Sequence, residues 1–372
     1  MTKVELFYFL GKCLSLGKNE GNREKITRAI KNDEVNWDHF VELASGHLVL
    51  PSVYLRFKEQ GILSFLPQEL VSHLQMVYDL NLKRNTAILG QIDKINRLFA
   101  TSGIGPIYLK GAANILDLYE DLGERMLGDI DLLVSDDEFL PAVKLLKNEG
   151  YEHNYPFFDE EQAVTKHFPR LVHPTELADV EVHRVPVELQ LSALFNYSVI
   201  NPEKKQVETH PPCFVLSDRH KVILNFMHGF MNRDVRMSRN ITFRNLVDLL
   251  FLSKRVDVHG VFESLPRDAK QARVYADFMY HSLGIDNPRG LAPQSQKFIL
   301  KYGPLHQSRF RYRVNWTIKY FGSRIWSGYL CNAAGVLFDR KIRRTVFRKL
   351  GDPDWYRLHL KSYRDSFRQG FR

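Results

Sequence analysis

Two carboxylates stand one residue apart in "GDIDLLV", where Asp129 and Asp131 interrupt an apolar run that otherwise reads as a buried strand. Successive side chains of a strand point to opposite faces, so the two acids share one face while Ile130 and Leu132 take the other. Like charges that close repel, and one acid would take up a proton unless a cation lay between them. Oxygen donors with room left for further ligands suit Mg2+ or Mn2+. A third acid comes from "ADVEVHRV", where the same alternation sets Asp179, Glu181 and His183 on one face and Val180 and Val182 on the other. Glu181 is the candidate. Two ions held by such acids can activate an attacking oxygen and neutralise charge at a phosphorus centre.

Phosphate also needs a cradle. The segment "LKGAAN" closes a strand and opens a helix, so Gly111 admits close backbone approach and the N–H groups of Ala112 and Ala113 can face an anion at the positive helix end. Lys110 and Arg125 are the nearest cations. Either pairs with phosphate oxygens, Arg125 through its two-pronged guanidinium, or Arg125 neutralises Asp129 and Lys110 is a solvated strand end.

Positioning these residues calls for a mixed element pattern. Residues 1–98 read as helical, with apolar positions at helical spacing in Phe40, Val41, Leu43 and Ala44 and again in Leu74, Val77, Leu80 and Leu82, and with Pro51 and Pro67 marking boundaries. Residues 99–200 mix strand and helix. The run 103–111 is a short strand closed by glycine, 130–134 is a second, and a helix begins near Ser135, where Ser135 and Glu138 have the spacing of a capping box, and ends at Gly150. "HFPRLVHP" and "ADVEVHRVPV" alternate like strands. Residues 201–372 return to helix and end in a basic tail. The fold class is α+β, a central mixed region between N- and C-terminal helical regions.

The segment "YLKGAANILDLYEDLGERMLGDIDLLV" resembles the nucleotidyltransferase superfamily and most closely its bacterial "uncharacterised nucleotidyltransferase" family, in which "LKG" and "R…DIDLLV" recur behind a helical segment. The resemblance implies a central mixed β-sheet of nucleotidyltransferase type with flanking helices. It also implies magnesium-dependent transfer of a nucleoside monophosphate from a nucleoside triphosphate, ATP among them, to an acceptor, with release of pyrophosphate. Residue by residue, Gly111 matches the phosphate-binding glycine, Asp129 and Asp131 the metal-binding pair, and Glu181 the third carboxylate, which would hold metal and help activate the acceptor hydroxyl. Ala112 stands where Ser or Gly is usual, which removes a hydroxyl contact to phosphate. Glu181 replaces the more usual Asp, which leaves Asp179 or Glu188 as alternatives. The acceptor is open among glycan, lipid-linked sugar, peptide, protein side chain and RNA. Two other readings stand beside this one: a catalytically weak nucleotide-binding or scaffold protein at a membrane surface, and an RNA-directed nucleotidyltransferase.

The histidines crowding 153–183 match no zinc spacing, and His183, sharing a face with Glu181, is expected to orient that acid. His228 and the pair Arg244 and Asp248, four residues apart, are expected as a buried histidine and an intrahelical ion pair, or as the lining of an acceptor pocket. Across 372 residues the net charge is +9, and the segment from Arg340 to Arg372 holds most of the excess, with eleven Lys/Arg against three acids. With the aromatic-rich stretch 313–330 before it, that tail is a solvated helical face or a contact for anionic lipid or nucleic acid. No apolar run reaches the roughly 20 residues of a spanning helix. Three widely spaced cysteines, Cys13, Cys213 and Cys331, fit unpaired thiols and a cytoplasmic protein, peripheral to the membrane at most.

Overall fold

The computed structural model describes residues 1–153, 166–208, 213–232, 235, 240–307 and 357. Residues 1–232 and 241–301 form one compact unit, to which everything below belongs apart from the last residues of the final helix; a second comprises 233–240 and 302–372. The aromatic-rich stretch 313–330, the basic tail apart from Arg357, and Cys331 lie outside the described residues. Cys13 and Cys213 are both buried. Among the described residues, no helix is long and apolar enough to cross a membrane.

Four helices lead the chain: α1 (Lys3–Leu14), α2 (Glu20–Lys31), α3 (Trp37–Gly46) and α4 (Leu50–Glu59), with Pro51 in the first turn of α4 where its missing N–H costs nothing. The long α5 (Gln68–Ala100) follows, with Pro67 as its N-cap. Its apolar stripe differs from the expected one. Leu74 is buried, but Leu80 is 60% exposed, and the inward line continues through Asn81 and Asn85 to Ile88, Ile92, Ile95 and Phe99. Two asparagines on a buried face need partners, and both donate to the loop ahead of the paired aspartates. The Asn81 amide reaches the Gly123 and Arg125 carbonyls, and the Asn85 amide those of Leu122 and Arg125.

A five-stranded sheet is built from β1 (Ile107–Tyr108), β2 (Asp129–Leu133), β3 (Asp179–His183), β4 (Lys205–Val207) and β5 (Cys213–Val215) in the order β3-β2-β1-β5-β4. It is mixed: β2 runs parallel to β3 and antiparallel to β1, and β5 runs parallel to β1 and antiparallel to β4. Between β1 and β2 lies α6 (Lys110–Asp117). After β2 comes α7 (Asp136–Asn148), whose N-terminus carries the expected capping box of Ser135 and Glu138, and Gly150 beyond its end takes the positive φ of +95° that glycine tolerates.

Tyr108, Ile130, Leu132, Val180, Val182 and Val215 face a single core filled by Ile88, Ile92, Ile95 and Phe99 of α5 and Phe139, Val143 and Leu146 of α7. The opposite face of β2 and β3 is thereby left to the acids. The run "HFPRLVHP", expected as a strand, makes isolated antiparallel bridges, His167 to His183, Leu171 to Val180 and Val172 to Glu152. Pro169 has no N–H to give between them. The backbone bonds from Phe168 to Val182 and from Leu171 to Val180 set three steps against two, a bulge that carries Arg170.

The later chain is helical again: the short α8 (Tyr197–Ile200), α9 (Asp218–Phe226) running into a π-helical turn (Met227–Met231), then α10 (Phe243–Leu252), α11 (Val258–Glu263), α12 (Ala269–Leu283) and α13 (Pro293–Gln307). Gly229 is required in the π turn, since a Cβ there would lie 2.7 Å from the Tyr275 hydroxyl and 2.9 Å from the Asn245 amide.

Candidate active site

Register decides which acids meet. Asp131 pairs with Glu181 across the parallel β2–β3 ladder, and Asp129 with Asp179, so the four carboxylates form two rows on one face. Asp131 is almost fully buried, Glu181 nearly so, and His183 completely. One ligand atom from each of Asp131, Glu181 and His183 lies within 4.8 Å of the others, the one metal-capable group of this kind among the described residues. Carboxylate oxygens from adjoining strands with an imidazole beside them are a donor set that a divalent cation fits. Asp129 flanks this group, and Glu188, one alternative for the third carboxylate, is exposed outside it.

Each acid is met by a cation of the chain itself. The Lys110 ammonium sits 2.5 Å from Asp131 Oδ1, and His183 Nε2 lies 2.8 Å from the same oxygen and 3.5 Å from Glu181 Oε2. His183 therefore touches Asp131 more closely than Glu181, the acid it was expected to orient. Arg170, aimed by the bulge, reaches Glu181 at 3.0 Å, Asp129 at 3.2 Å and Asp179 at 3.4 Å. Burial works to raise the Asp131 carboxyl, yet Lys110 and His183 outweigh it and hold it well below the usual carboxylate range. For Glu181 burial is likewise overcome, chiefly by the contact with His183, and the group stands at about 2. Asp129 behaves oppositely: burial, then repulsion by Asp131, pushes it up. Lys110 opens α6 with a φ of +46°, a left-handed conformation that a side chain rarely adopts and that aims the ammonium at β2.

Gly111 is buried directly behind Lys110. A Cβ there would lie 2.4 Å from Leu127 Cδ1 and 2.5 Å from an Arg125 nitrogen, so the glycine is required for the packing of the 122–128 loop. The cradle expected from Ala112 and Ala113 is reduced. The Ala113 N–H is spent on the Leu109 carbonyl inside the helix, and both alanines are fully buried.

Arg125 neutralises Asp248, not Asp129. Its Nε and one terminal nitrogen donate to the two Asp248 oxygens at 2.8 Å each, and the Tyr119 hydroxyl donates to Oδ1 at 2.7 Å, all fully interior. The intrahelical pair expected between Arg244 and Asp248 is consequently absent. With Asp248 engaged, Arg244 turns to the Met126 carbonyl at 3.3 Å.

Lys110, Gly111, Arg125, Asp129 and Asp131 open onto a cavity of about 740 Å³, mouth included, whose other walls come from α9, the π turn and α10 through Lys221, Asn225, His228, Arg244 and Asn245. Three acids and four cations line it among neutral residues, with Asn114, Asn225 and Asn245 as further polar groups. His228 is driven down to about 3, first by burial and then by the nearby Lys110 ammonium, so it faces the cavity as a neutral imidazole. Sequence reasoning missed Arg170, whose one signal was the proline inside a strand-like run, and Lys221 and Asn225, which read as ordinary helix.

A mixed sheet carrying adjacent carboxylates beside a cation-lined cavity, with a glycine-bearing helix following the first strand, defines an α+β nucleotidyltransferase-type protein. The sequence profile of the family described as "Uncharacterised nucleotidyltransferase" matches residues 33–280, two thirds of the chain, and the protein belongs to that family. No match is found among curated proteins.

Proposed function

We propose that the protein transfers a nucleoside monophosphate from a nucleoside triphosphate to an acceptor with loss of pyrophosphate, and that the transfer depends on Mg2+ or Mn2+. One observation supports this above the rest: Asp131 and Glu181 stand in register on adjoining strands, with Asp129 beside them, at the edge of a cavity rich in Lys and Arg. Asp129, Asp131 and Glu181 would hold the cation, which when bound supplies charge neutralisation at the reacting phosphate. The low proton affinity of Asp131 and Glu181 suits that role, because both stay ionised at neutral pH. Lys110 and Arg170 compensate the acids and would have to yield them to a bound cation.

In the transfer the acceptor oxygen forms a bond to the α-phosphorus, the bond from that phosphorus to the bridging oxygen breaks, and pyrophosphate departs. The acceptor proton passes to a carboxylate of the cluster or to water. The test is pyrophosphate release with magnesium across a panel of nucleotides and acceptors. Asp129→Asn with Asp131→Asn should abolish it, and activity equal to the parent would end this reading. Satisfaction of every acid by an internal cation favours a second reading, a nucleotide-binding protein with weak turnover. That predicts nucleotide binding with no product from any acceptor.

A further inference from the structure

The cavity cations differ in how they are compensated. Lys110 has Asp131, Arg125 has both oxygens of Asp248, and Lys221, almost fully buried, is paired with Asp117. Among the described residues Arg244 makes no ion pair, and the carboxylates of Asp248 and Asp129 attract it only from beyond contact distance. A guanidinium offers five N–H donors, and Arg244 places one on the Met126 carbonyl while its buried Nε has no hydrogen-bond partner. The acid one helical turn away on its own helix, Asp248, is already held by Arg125 and by the Tyr119 hydroxyl. Burial first, and then the neighbouring Arg125 guanidinium, lowers its affinity for its proton. A charged fork that lines a cavity without a carboxylate in contact with it is a group that an anion can complete.

We propose that Arg244 is the cavity's receptor for phosphoryl oxygens of the bound ligand, the position at which an incoming phosphate replaces the carboxylate that Arg125 has taken. The inference rests on the proposed function for the class of anion, since a nucleotidyl donor brings a polyphosphate chain into this cavity. It names a ligand contact outside the carboxylate cluster. A planar fork takes two phosphoryl oxygens at once, which a lysine in the same place would not. The phosphate belongs either to the polyphosphate chain of the nucleotide or to a phosphorylated acceptor, and the chemistry at Arg244 is the same for both.

The test is calorimetric binding to the full chain, first of inorganic tripolyphosphate and then of adenosine and guanosine mono-, di- and triphosphates, without acceptor. Arg244→Gln should weaken tripolyphosphate by about 10- to 100-fold, the range for loss of charge-assisted bonds, and Arg244→Lys by less. The urea midpoint of Arg244→Gln should not fall, because the residue makes no ion pair among the described residues. A penalty that grows from mono- to triphosphate assigns the contact to the nucleotide. A penalty confined to inorganic phosphate added to the nucleotide-saturated protein assigns it to the acceptor. Binding of tripolyphosphate and of inorganic phosphate that is in both cases equal in parent and Arg244→Gln overturns the proposal, as does a large fall in stability with binding intact. If Arg244→Gln does not fold, Arg244→Lys with parental affinity overturns it equally. None of these measurements requires turnover, so failure to detect pyrophosphate release would leave this inference standing, and failure here would leave the carboxylate cluster untouched.

Discussion

Replacing Asp248 by leucine should be among the most damaging single changes in the interior. It leaves the Arg125 guanidinium with its side chain only 5% exposed and without the carboxylate that accepts two of its hydrogen bonds. Opposite charges about 4 Å apart at an effective dielectric near 20 attract by about 4 kcal/mol, and stranding one member of a buried pair costs about 3–5 kcal/mol. With a urea slope of about 2–3 kcal/mol per molar, the midpoint should fall by about 1.5 M. Arg125→Met should cost less, because the remaining carboxylate still accepts from the Tyr119 hydroxyl at 2.7 Å. Combining the two puts apolar groups at both ends, and such replacements are often near neutral. The double variant should therefore be more stable than Asp248→Leu alone, with a coupling energy of about 2 kcal/mol or more in a double-mutant cycle. Strict additivity, or an Asp248→Leu cost below about 1 kcal/mol, would refute the reasoning that this pair anchors the loop carrying Arg125.

Two further outcomes are expected. Burial pushes the Glu124 carboxyl up from 4.5 to about 7 despite its contact with Arg56 at 2.8 Å. The folded state thus binds this proton more tightly than the unfolded one, so the contribution is full below pH 4.5 and is lost as pH rises to about 7. The loss amounts to about 3 kcal/mol; Glu124→Gln should flatten urea stability across that window, and an unchanged pH profile would contradict the assignment. Because the Lys110 ammonium contacts Asp131, Lys110→Met should tighten Mn2+ binding measured by electron paramagnetic resonance without nucleotide, by about tenfold, or about 1.4 kcal/mol. Weaker binding in that variant would mean that lysine and cation do not compete.

The parts of this protein legible in the chain are those set by near neighbours. The alternation of Asp129, Ile130, Asp131 and Leu132 and that of Asp179 to His183 assign faces without knowledge of anything distant, and the Ser135–Glu138 cap closes within four residues. Where side-chain spacing was asked to choose a partner, it chose wrongly. Arg244 and Asp248 have ion-pair spacing, yet Asp248 bonds to Arg125, 123 positions earlier. Asn81 and Asn85, which the apolar spacing did not single out, carry a loop. Gly111 is demanded by Leu127 and Arg125 pressing on it, a constraint that no local pattern records.

The sequence by itself determined the mixed strand-and-helix middle, the side of each strand on which the acids stand and the glycine that opens the helix, because periodicity, capping and backbone sterics act over a few residues. Only the tertiary structure decided that Glu181 falls in register with Asp131, that a proline-broken edge swings Arg170 onto three carboxylates, and that Arg244 bonds to a carbonyl and makes no ion pair among the described residues. Those outcomes follow from which charges are desolvated together. That competition is settled among groups far apart in the chain, by packing rather than by spacing.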